Sequence, residues 1–198
     1  SDGFGDGISG RIMLNDGIFV KTMSEVGLRS SVALVYQFVT GALGYKMHQH
    51  EGKITGLAAF GVPAHVDSFY DLFEKCDDFG NGLKLKNNKD LLNDEDKKLI
   101  CENAQIKDFE GFQMLKKSVF KLVNDLRECS AKTEDIAASV QDFAERVTIE
   151  WMTKKLYDEL SENNLLGKIP CYLAGGLFAN VKLNQRVHES GLFSNVYV

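Results

Sequence analysis

A short apolar run, two glycines and an amphipathic segment constrain the fold of this chain more than any other feature. Residues 171–174 predict a buried strand, and Gly175 and Gly176 separate that strand from a segment whose apolar residues recur at helical spacing. The apolar stripe of that helix comprises Phe178, Val181, Leu183 and Val187. A strand that enters a helix through two glycines directs free N–H groups at a ligand, which suits phosphate or another anion. The same pattern also serves tight packing without a ligand, so both interpretations stay open.

Composition and charge narrow the function class. The chain has 198 residues and a net charge of −5, which argues against the basic face that a nucleic-acid-binding protein needs. No run of about 18 apolar residues is present, so we expect no membrane span. The start of the sequence has no leader of charged and then apolar residues, so we expect no signal peptide. The four cysteines are far apart and lack CxxC spacing, so we expect reduced thiols and a cytoplasmic protein.

A second glycine-rich turn lies at the start of the chain. Residues 1–7 read Ser-Asp-Gly-Phe-Gly-Asp-Gly, and residues 11–15 and 18–22 then alternate around Asp16 and Gly17, which predicts a hairpin with a two-residue turn. Such a turn normally follows a strand, so we expect a piece of a longer protein. A solvated loop is the alternative. A helix–loop–helix calcium site is excluded because Phe4 and Met13 stand where oxygen ligands are required.

The middle of the chain is predicted to be largely helical. A buried helix is expected over residues 30–43, with Ser30 or Ser31 as the N-cap and Gly44 as the stop. Residues 64–129 are interpreted as a largely helical insertion. That insertion should contain amphipathic helices over 66–73 and 112–126 and a polar loop over 83–93. The strongest pattern predicts a long helix over 133–162, with Thr133 as its N-cap.

Residues 48–61 combine charged side chains with glycines. One interpretation is a loop that presents Glu51 and Lys53 to a nucleotide, with the Lys53 charge on a phosphate. The alternative is the start of a helix with Glu51 near its N-terminus and Lys53 solvated. His48 and His50 could share one metal ion if the chain is extended here.

Three blocks together resemble a known family. They are residues 2–6 (Asp-Gly-Phe-Gly-Asp), residues 50–61 (His-Glu-Gly-Lys-Ile-Thr-Gly-Leu-Ala-Ala-Phe-Gly) and residues 173–180 (Leu-Ala-Gly-Gly-Leu-Phe-Ala-Asn). In this order they resemble the carbamoyltransferases that tailor nodulation factors and antibiotics. Residues 31–44 and 135–141, together with Glu145, also fit the family pattern. The similarity covers nearly the whole chain except the insertion.

The resemblance implies an α/β fold of the actin-like, ribonuclease H-like ATPase type, with a mixed sheet flanked by helices. The chain would be most of the second of two subdomains that clamp a nucleotide. Family members form carbamoyl-adenylate from ATP and carbamoyl phosphate in a separate domain, and then pass the carbamoyl group to a hydroxyl of a small-molecule acceptor. A divalent metal, often iron, assists.

Individual roles follow from the resemblance alone. Asp2 matches a metal-ligand aspartate, and the residues that match nucleotide-binding positions are Gly3, Gly5, Asp6, Glu51, Lys53, Gly175, Gly176 and Asn180. The family's upstream His-x-x-x-His is not within these residues, so we expect the other metal ligands to lie outside this chain. We therefore expect the isolated polypeptide to be inactive and to bind metal weakly or not at all.

Several questions stay open at the level of sequence. Asp6, His48 and His50 are candidates for a catalytic base, and nothing selects among them. An actin-fold kinase of sugars or acetate and a non-catalytic nucleotide-binding scaffold are the alternative functions. The sequence does not identify the acceptor substrate. A homodimer that forms through the apolar helices of the insertion is one option for the oligomeric state.

Overall fold

The computed structural model describes residues 7–106 and 108–198, and it has mixed α/β architecture. Seven α-helices and six strands occur in these ranges. In chain order they are β1 (Ile8–Asn15), β2 (Val20–Gly27), α1 (Val32–Ala42), α2 (Glu51–Ala58), α3 (Val66–Tyr70), β3 (Phe73–Lys75), β4 (Leu83–Leu85), α4 (Asp94–Glu102), α5 (Phe109–Glu128), α6 (Thr133–Glu162), β5 (Pro170–Tyr172), α7 (Val181–Glu189) and β6 (Asn195–Tyr197). No helix in the described ranges is long and apolar enough to cross a membrane.

The N-terminal hairpin forms as predicted, but its turn is longer. β1 and β2 are antiparallel, and Asn15 pairs with Val20, so the connection has four residues rather than two. The Asp16 carboxylate accepts hydrogen bonds from the N–H groups of Ile18 and Phe19 at 2.9 and 2.8 Å. An aspartate side chain that accepts hydrogen bonds from the backbone of its own turn stabilises that turn. This stabilisation favours the four-residue connection over the two-residue turn.

The core is built around α6. This helix packs against α1, α2 and α3, and Phe143 at its centre contacts the rings of Phe69, Tyr70 and Phe73. The predicted span of α6 is confirmed, although the N-cap position falls on Lys132 rather than on Thr133. α1 is also confirmed: the Ser31 side chain accepts a hydrogen bond from the N–H of Leu34.

Residues 64–129, which the sequence predicts to be a largely helical insertion, contain α3, α4 and α5. They also contain the antiparallel pair β3–β4, so the loop predicted over residues 83–93 is wrong where β4 forms. β4 could not be identified from its own residues because three residues are too few to show alternation.

The segment with the two glycines differs from the prediction in three ways. β5 has only three residues, and Tyr172 is 76% exposed, so the strand is not buried as predicted. A 3₁₀ turn over Gly176–Ala179 separates the glycines from α7, and it contains Phe178. Val181 is 77% exposed, so it does not belong to the buried stripe. Asn180 caps α7, because its side chain accepts a hydrogen bond from the N–H of Leu183 at 3.1 Å.

The described strands form three separate two-stranded sheets instead of the predicted single mixed sheet. β1–β2 and β3–β4 are antiparallel, whereas β5–β6 is parallel. β1 and β5 do not pair with each other but face a common cavity of about 860 Å³. We call this cavity the interstrand groove. Among the described residues, β1 and β5 therefore belong to different sheets.

Candidate functional site

Buried polar side chains from three helices meet at the N-terminus of α7. We call the set of Tyr36, Thr55, Gln141, Glu145 and Asn180 the polar cluster. Tyr36 comes from α1, Thr55 from α2, and Gln141 and Glu145 from α6. Gln141 is 1% exposed, and hydrogen bonds link all five side chains. A buried polar group costs free energy unless it is paired, so a fully connected cluster fixes the relative positions of these helices.

Tyr36 connects α2 to α6. Its hydroxyl lies 2.8 Å from Thr55 Oγ1 and donates to Gln141 Oε1 at 2.9 Å. Since the phenol has one hydrogen, Thr55 donates to the Tyr36 oxygen. Burial raises the pKa of Tyr36 to about 12, and the nearby charges of Glu145 and Glu51 act in the same direction. Tyr36 is therefore a neutral hydrogen-bond donor at physiological pH, not a base.

Gln141 and Asn180 form a reciprocal amide pair. Asn180 Nδ2 donates to Gln141 Oε1 at 2.7 Å, and Gln141 Nε2 donates to Asn180 Oδ1 at 3.2 Å. The second hydrogen of Gln141 Nε2 goes to Glu145 Oε1 at 2.8 Å. An amide nitrogen carries two hydrogens, and no described residue accepts the second one of Asn180. That hydrogen is the one free donor that Asn180 can offer to a ligand.

Glu145 carries the buried charge of the polar cluster. Its side chain is 7% exposed, and two cations of α7 lie beside it. Arg186 Nε is 3.4 Å from Glu145 Oε2, and Lys182 Nζ is 3.9 Å from Glu145 Oε1. A buried carboxylate needs such compensation, so these contacts hold α7 against α6.

The two glycines present exposed backbone immediately before the polar cluster. Gly175 has φ +103°, a conformation that residues with a Cβ rarely adopt. No heavy atom of a described residue would lie within 4 Å of a Cβ placed on Gly176. This open, exposed turn leaves room for a ligand beside its backbone, as an anion-binding turn requires.

Glu51 and Lys53 lie on α2, so the predicted loop is wrong and the helical alternative is confirmed. Glu51 Oε1 accepts a hydrogen bond from the N–H of His48 at 2.6 Å, which stabilises the first turn of α2. His48 itself has φ +65°. Lys53 is exposed, and its Nζ lies 5.8 Å from the centre of the Tyr45 ring.

The histidines are held apart. His50 Nδ1 accepts a hydrogen bond from the N–H of Lys46 at 3.1 Å, and His48 Nε2 lies 3.3 Å from Gln37 Nε2. Residues 7–106 and 108–198 contain no group of three or more potential metal ligands.

The structure brings together some of the sequence-predicted residues and not others. Asn180 belongs to the polar cluster, and Glu51 lies close enough for its charge to act on Tyr36. Lys53 faces Tyr45 and has no contact with the cluster. The remaining predicted site residues, Asp2, Gly3, Gly5 and Asp6, lie outside the described residues.

Sequence reasoning gave no role to Tyr36, Thr55 or Gln141, although each lies in a stretch that resembles the family. The available signal was polar side chains within helical stretches that are otherwise apolar. Gln141 and Glu145 stand four residues apart in α6, so they share one face with buried residues. A buried amide and carboxylate on one face predict a polar contact there.

The interstrand groove lies elsewhere. It is lined mainly by apolar side chains and by the β1 and β5 backbones, and no member of the polar cluster lines it. The residues of the polar cluster therefore do not line the interstrand groove.

Comparison with known proteins identifies the family to which this chain belongs. The model of the family described as "Carbamoyltransferase N-terminus" matches residues 2–198. An uncharacterized protein of Synechocystis sp., sll1178, is 28% identical over 202 residues, covering 100% of this chain and 29% of the relative. Nodulation protein NolNO of Sinorhizobium fredii is 26% identical over 198 residues, covering 100% of this chain and 24% of the relative.

A second nodulation protein extends the comparison. NolO of Bradyrhizobium diazoefficiens is 24% identical over 198 residues, covering 100% of this chain and 30% of the relative. The chain thus spans under a third of the length of these curated relatives. Since the family match covers almost every residue, the chain belongs to the carbamoyltransferase family, with similarity to the N-terminal part of its members.

Proposed function

We propose that this chain is part of an enzyme that transfers a carbamoyl group from carbamoyl-adenylate to a hydroxyl of a small-molecule acceptor. The observation that carries the proposal is the family match over residues 2–198. We further propose that the protein adopts the actin-like fold, of which this chain is mostly the second subdomain. The glycine turn beside a buried polar cluster supports a nucleotide site on this chain.

The nucleotide site combines the glycine turn with α2. The N–H groups of Gly175 and Gly176 point their positive ends at an anionic ligand, since both glycines are exposed and no described heavy atom lies within 4 Å of a Cβ placed on Gly176. The free Nδ2 hydrogen of Asn180 donates to the same ligand, and Gln141 fixes the amide in the required orientation. Glu51 and Lys53 contribute from α2. In the same proposal, the turn of Gly3, Gly5 and Asp6 completes the site.

The reaction replaces the mixed anhydride bond of carbamoyl-adenylate with a carbamate ester bond. The acceptor hydroxyl oxygen attacks the carbamoyl carbon, a new C–O bond forms, the bond to the phosphate oxygen of AMP breaks, and the hydroxyl proton leaves. Donors that are fixed before reaction stabilise the charge that develops on the carbamoyl and phosphate oxygens. The base that takes the proton is not assigned among Asp6, His48 and His50. Tyr36 is not a candidate because its pKa is raised to about 12 by burial.

ATP and a divalent metal, iron in many members that the sequence resembles, are part of the proposal. Asp2 is proposed as the metal ligand from this chain, with the other ligands outside it. A metal would act as a Lewis acid on a carbamoyl or phosphoryl oxygen.

The remaining features of the proposal concern setting and partners. We propose a cytoplasmic protein, because the cysteines are free among the described residues and too far apart for a metal motif. Its partners are carbamoyl-adenylate and a small hydroxyl acceptor, with neither nucleic acid nor membrane. A homodimer stays an option.

The test is an activity assay of the complete gene product. ATP, carbamoyl phosphate, Fe²⁺ and a panel of polyols and sugars are incubated with the protein, and carbamoylated products are identified by mass spectrometry. We expect a carbamoyl ester that needs both ATP and carbamoyl phosphate, and no product from the 198-residue chain alone. A phosphorylated acceptor formed without carbamoyl phosphate would assign the protein as a kinase instead.

A variant assay tests the site. Asn180→Ala should raise the KM for carbamoyl-adenylate in the transfer step about tenfold, the loss expected for one hydrogen bond to a charged ligand. Asn93→Ala is the matched control, because Asn93 caps α4 in the insertion and does not contact the polar cluster. An unchanged KM in Asn180→Ala would remove Asn180 from the nucleotide site.

A further inference from the structure

The two carboxylate oxygens of Glu145 differ in their contacts. Oε1 accepts a hydrogen bond from Gln141 Nε2 at 2.8 Å. Oε2 accepts no hydrogen bond from the part of the chain that the structure describes: Arg186 Nε lies 3.4 Å away and contributes attraction between charges rather than a hydrogen bond. Because an ionised carboxylate can accept about four hydrogen bonds, Oε2 has unused acceptor capacity.

Glu145 Oε2 also stays in contact with solvent. Two side-chain atoms of the described residues are fully enclosed and lack a hydrogen-bond partner, Asp142 Oδ2 and Asn184 Oδ1. Glu145 Oε2 lacks such a partner too, but it does not belong to this enclosed group. Since Glu145 as a whole is buried, this oxygen lies at the base of a small opening. The cost of burying the carboxylate is therefore not fully compensated until a donor reaches Oε2.

A free donor lies in the same network as this free acceptor. Gln141 Nε2 donates to both Asn180 Oδ1 and Glu145 Oε1, so a single amide group joins the two side chains. Asn180 Nδ2 keeps one hydrogen that no described residue accepts. A ligand that offers one hydrogen-bond acceptor and one donor can therefore satisfy Asn180 and Glu145 together.

The charge of Glu145 decides which part of a ligand can contact it. A carboxylate repels a phosphate group, and the positive charges of Lys182 and Arg186 are already partly balanced by Glu145. We therefore expect the anionic part of the ligand at the open turn of Gly175 and Gly176 instead. A neutral hydroxyl or amino group suits the carboxylate, as in dinucleotide-binding folds, where an acidic side chain accepts a hydrogen bond from a ribose hydroxyl.

We propose that Glu145 is a specificity-determining residue that reads the nucleoside of carbamoyl-adenylate. Its Oε2 accepts a hydrogen bond from a donor of that nucleoside, either a ribose hydroxyl or the exocyclic amine of the base, while Asn180 donates to a neighbouring acceptor. Gln141 occupies Oε1 and so directs Oε2 towards the ligand. This inference rests on the proposed function.

Ligand analogues test the inference on the complete protein. Carbamoyl-adenylate and its 2′-deoxy, 3′-deoxy and purine riboside analogues are prepared chemically and added directly, which bypasses the adenylate-forming step. Each analogue lacks one hydrogen-bond donor of the natural nucleoside. We expect wild-type protein to use one analogue with a kcat/KM for carbamoyl transfer about tenfold lower or less, because the carboxylate then loses its donor. The analogue concerned distinguishes a ribose hydroxyl from the amine of the base.

Glu145→Gln tests the residue. Gln141 Nε2 requires an acceptor, so the variant amide keeps its oxygen at the Oε1 position and places its NH₂ group where Oε2 was. We expect kcat/KM for natural carbamoyl-adenylate to fall about tenfold, and that for the discriminated analogue to change less than about threefold. Glu159→Gln is the matched control, because Glu159 lies on the same helix and pairs with Lys21 outside the polar cluster. It should leave all values unchanged, and circular dichroism verifies that both variants fold.

Two outcomes would overturn the inference and leave the proposed function in place. One is equal use of all four adenylates by wild-type protein, and the other is an equal loss for all four in Glu145→Gln, as expected if Glu145 only supports the fold.

Absence of any carbamoyl transfer by wild-type protein would refute the proposed function. Calorimetric binding of AMP, its two deoxy analogues and purine riboside monophosphate would then decide the inference. A preference for AMP that Glu145→Gln loses would support it, and a preference that is absent or unaffected by the variant would overturn it.

Discussion

The contact between Gln141 and Asn180 gives the sharpest test of how the candidate site is held. Two hydrogen bonds at 2.7 and 3.2 Å join these side chains. A buried hydrogen bond contributes about 1 kcal/mol, so a double-mutant cycle with Gln141→Ala and Asn180→Ala should give a coupling energy of about 2 kcal/mol. Asn180→Ala alone should cost about 3 kcal/mol, because the N-cap to Leu183 contributes a further ~1 kcal/mol.

The measurement is urea unfolding followed by fluorescence of the single tryptophan, Trp151, which is 8% exposed. Asn93→Ala is the matched control: it also removes an N-cap, and it should combine additively with Gln141→Ala. A coupling below about 0.5 kcal/mol for Gln141 and Asn180 would mean that the amide pair contributes little, since that is the usual scatter for independent sites. The account of the polar cluster as a rigid support would then be wrong.

Three further predictions concern a close approach and two titrating groups. Gly61→Ala should destabilise the fold by about 1–3 kcal/mol in urea unfolding, because its Cβ would lie 2.0 Å from the Glu134 carbonyl oxygen; Gly52→Ala, with nothing within 4 Å, should not. Tyr36→Phe should reduce the loss of stability at alkaline pH. Tyr36 is neutral in the fold up to a pKa of about 12 against an ordinary 10.0, so its contribution is complete below pH 10 and is lost as pH rises towards 12. A wild-type-like alkaline unfolding curve would contradict this. Hydrogen bonds from the N–H groups of Phe19 and then Ile18 lower the pKa of Asp16, so its contribution is present above the ordinary carboxyl pKa and is lost as pH falls; an NMR titration of Asp16 that shows an ordinary pKa would contradict it.

α1 and α6 were predictable because their signals are local, whereas α4 was not predicted and the helix predicted over 66–73 ends at Tyr70, with Phe73 in β3. Ser31 caps α1, Gly44 ends that stretch with φ +87°, and the apolar period of α6 persists through its full length. Each of these features depends on residues within a turn or two of the position concerned. The hairpin was predictable for the same reason. Its turn length was not, because it depends on the hydrogen bonds that the Asp16 side chain accepts from the turn backbone.

The sheet arrangement was not predictable in the same way. Whether β5 is buried depends on what lies against it, and neither its length nor its composition contains that information. The polar cluster shows a similar limit: Tyr36 and Gln141 are 105 residues apart in sequence, and a single polar residue in an apolar helix does not indicate its distant partner. The resemblance to a family singled out Asn180 and Glu51, but not the side chains that hold them.

The Tyr36 hydroxyl, shared between α2 and α6, has a consequence for motion. Because α2 and the glycine turn are tied through the same phenol and the same amide pair, separating them would break several buried hydrogen bonds at once. We therefore expect these two parts of the candidate site to move together. We expect any opening that admits a substrate to occur at a hinge elsewhere in the protein, while α2 and the glycine turn keep their relative positions.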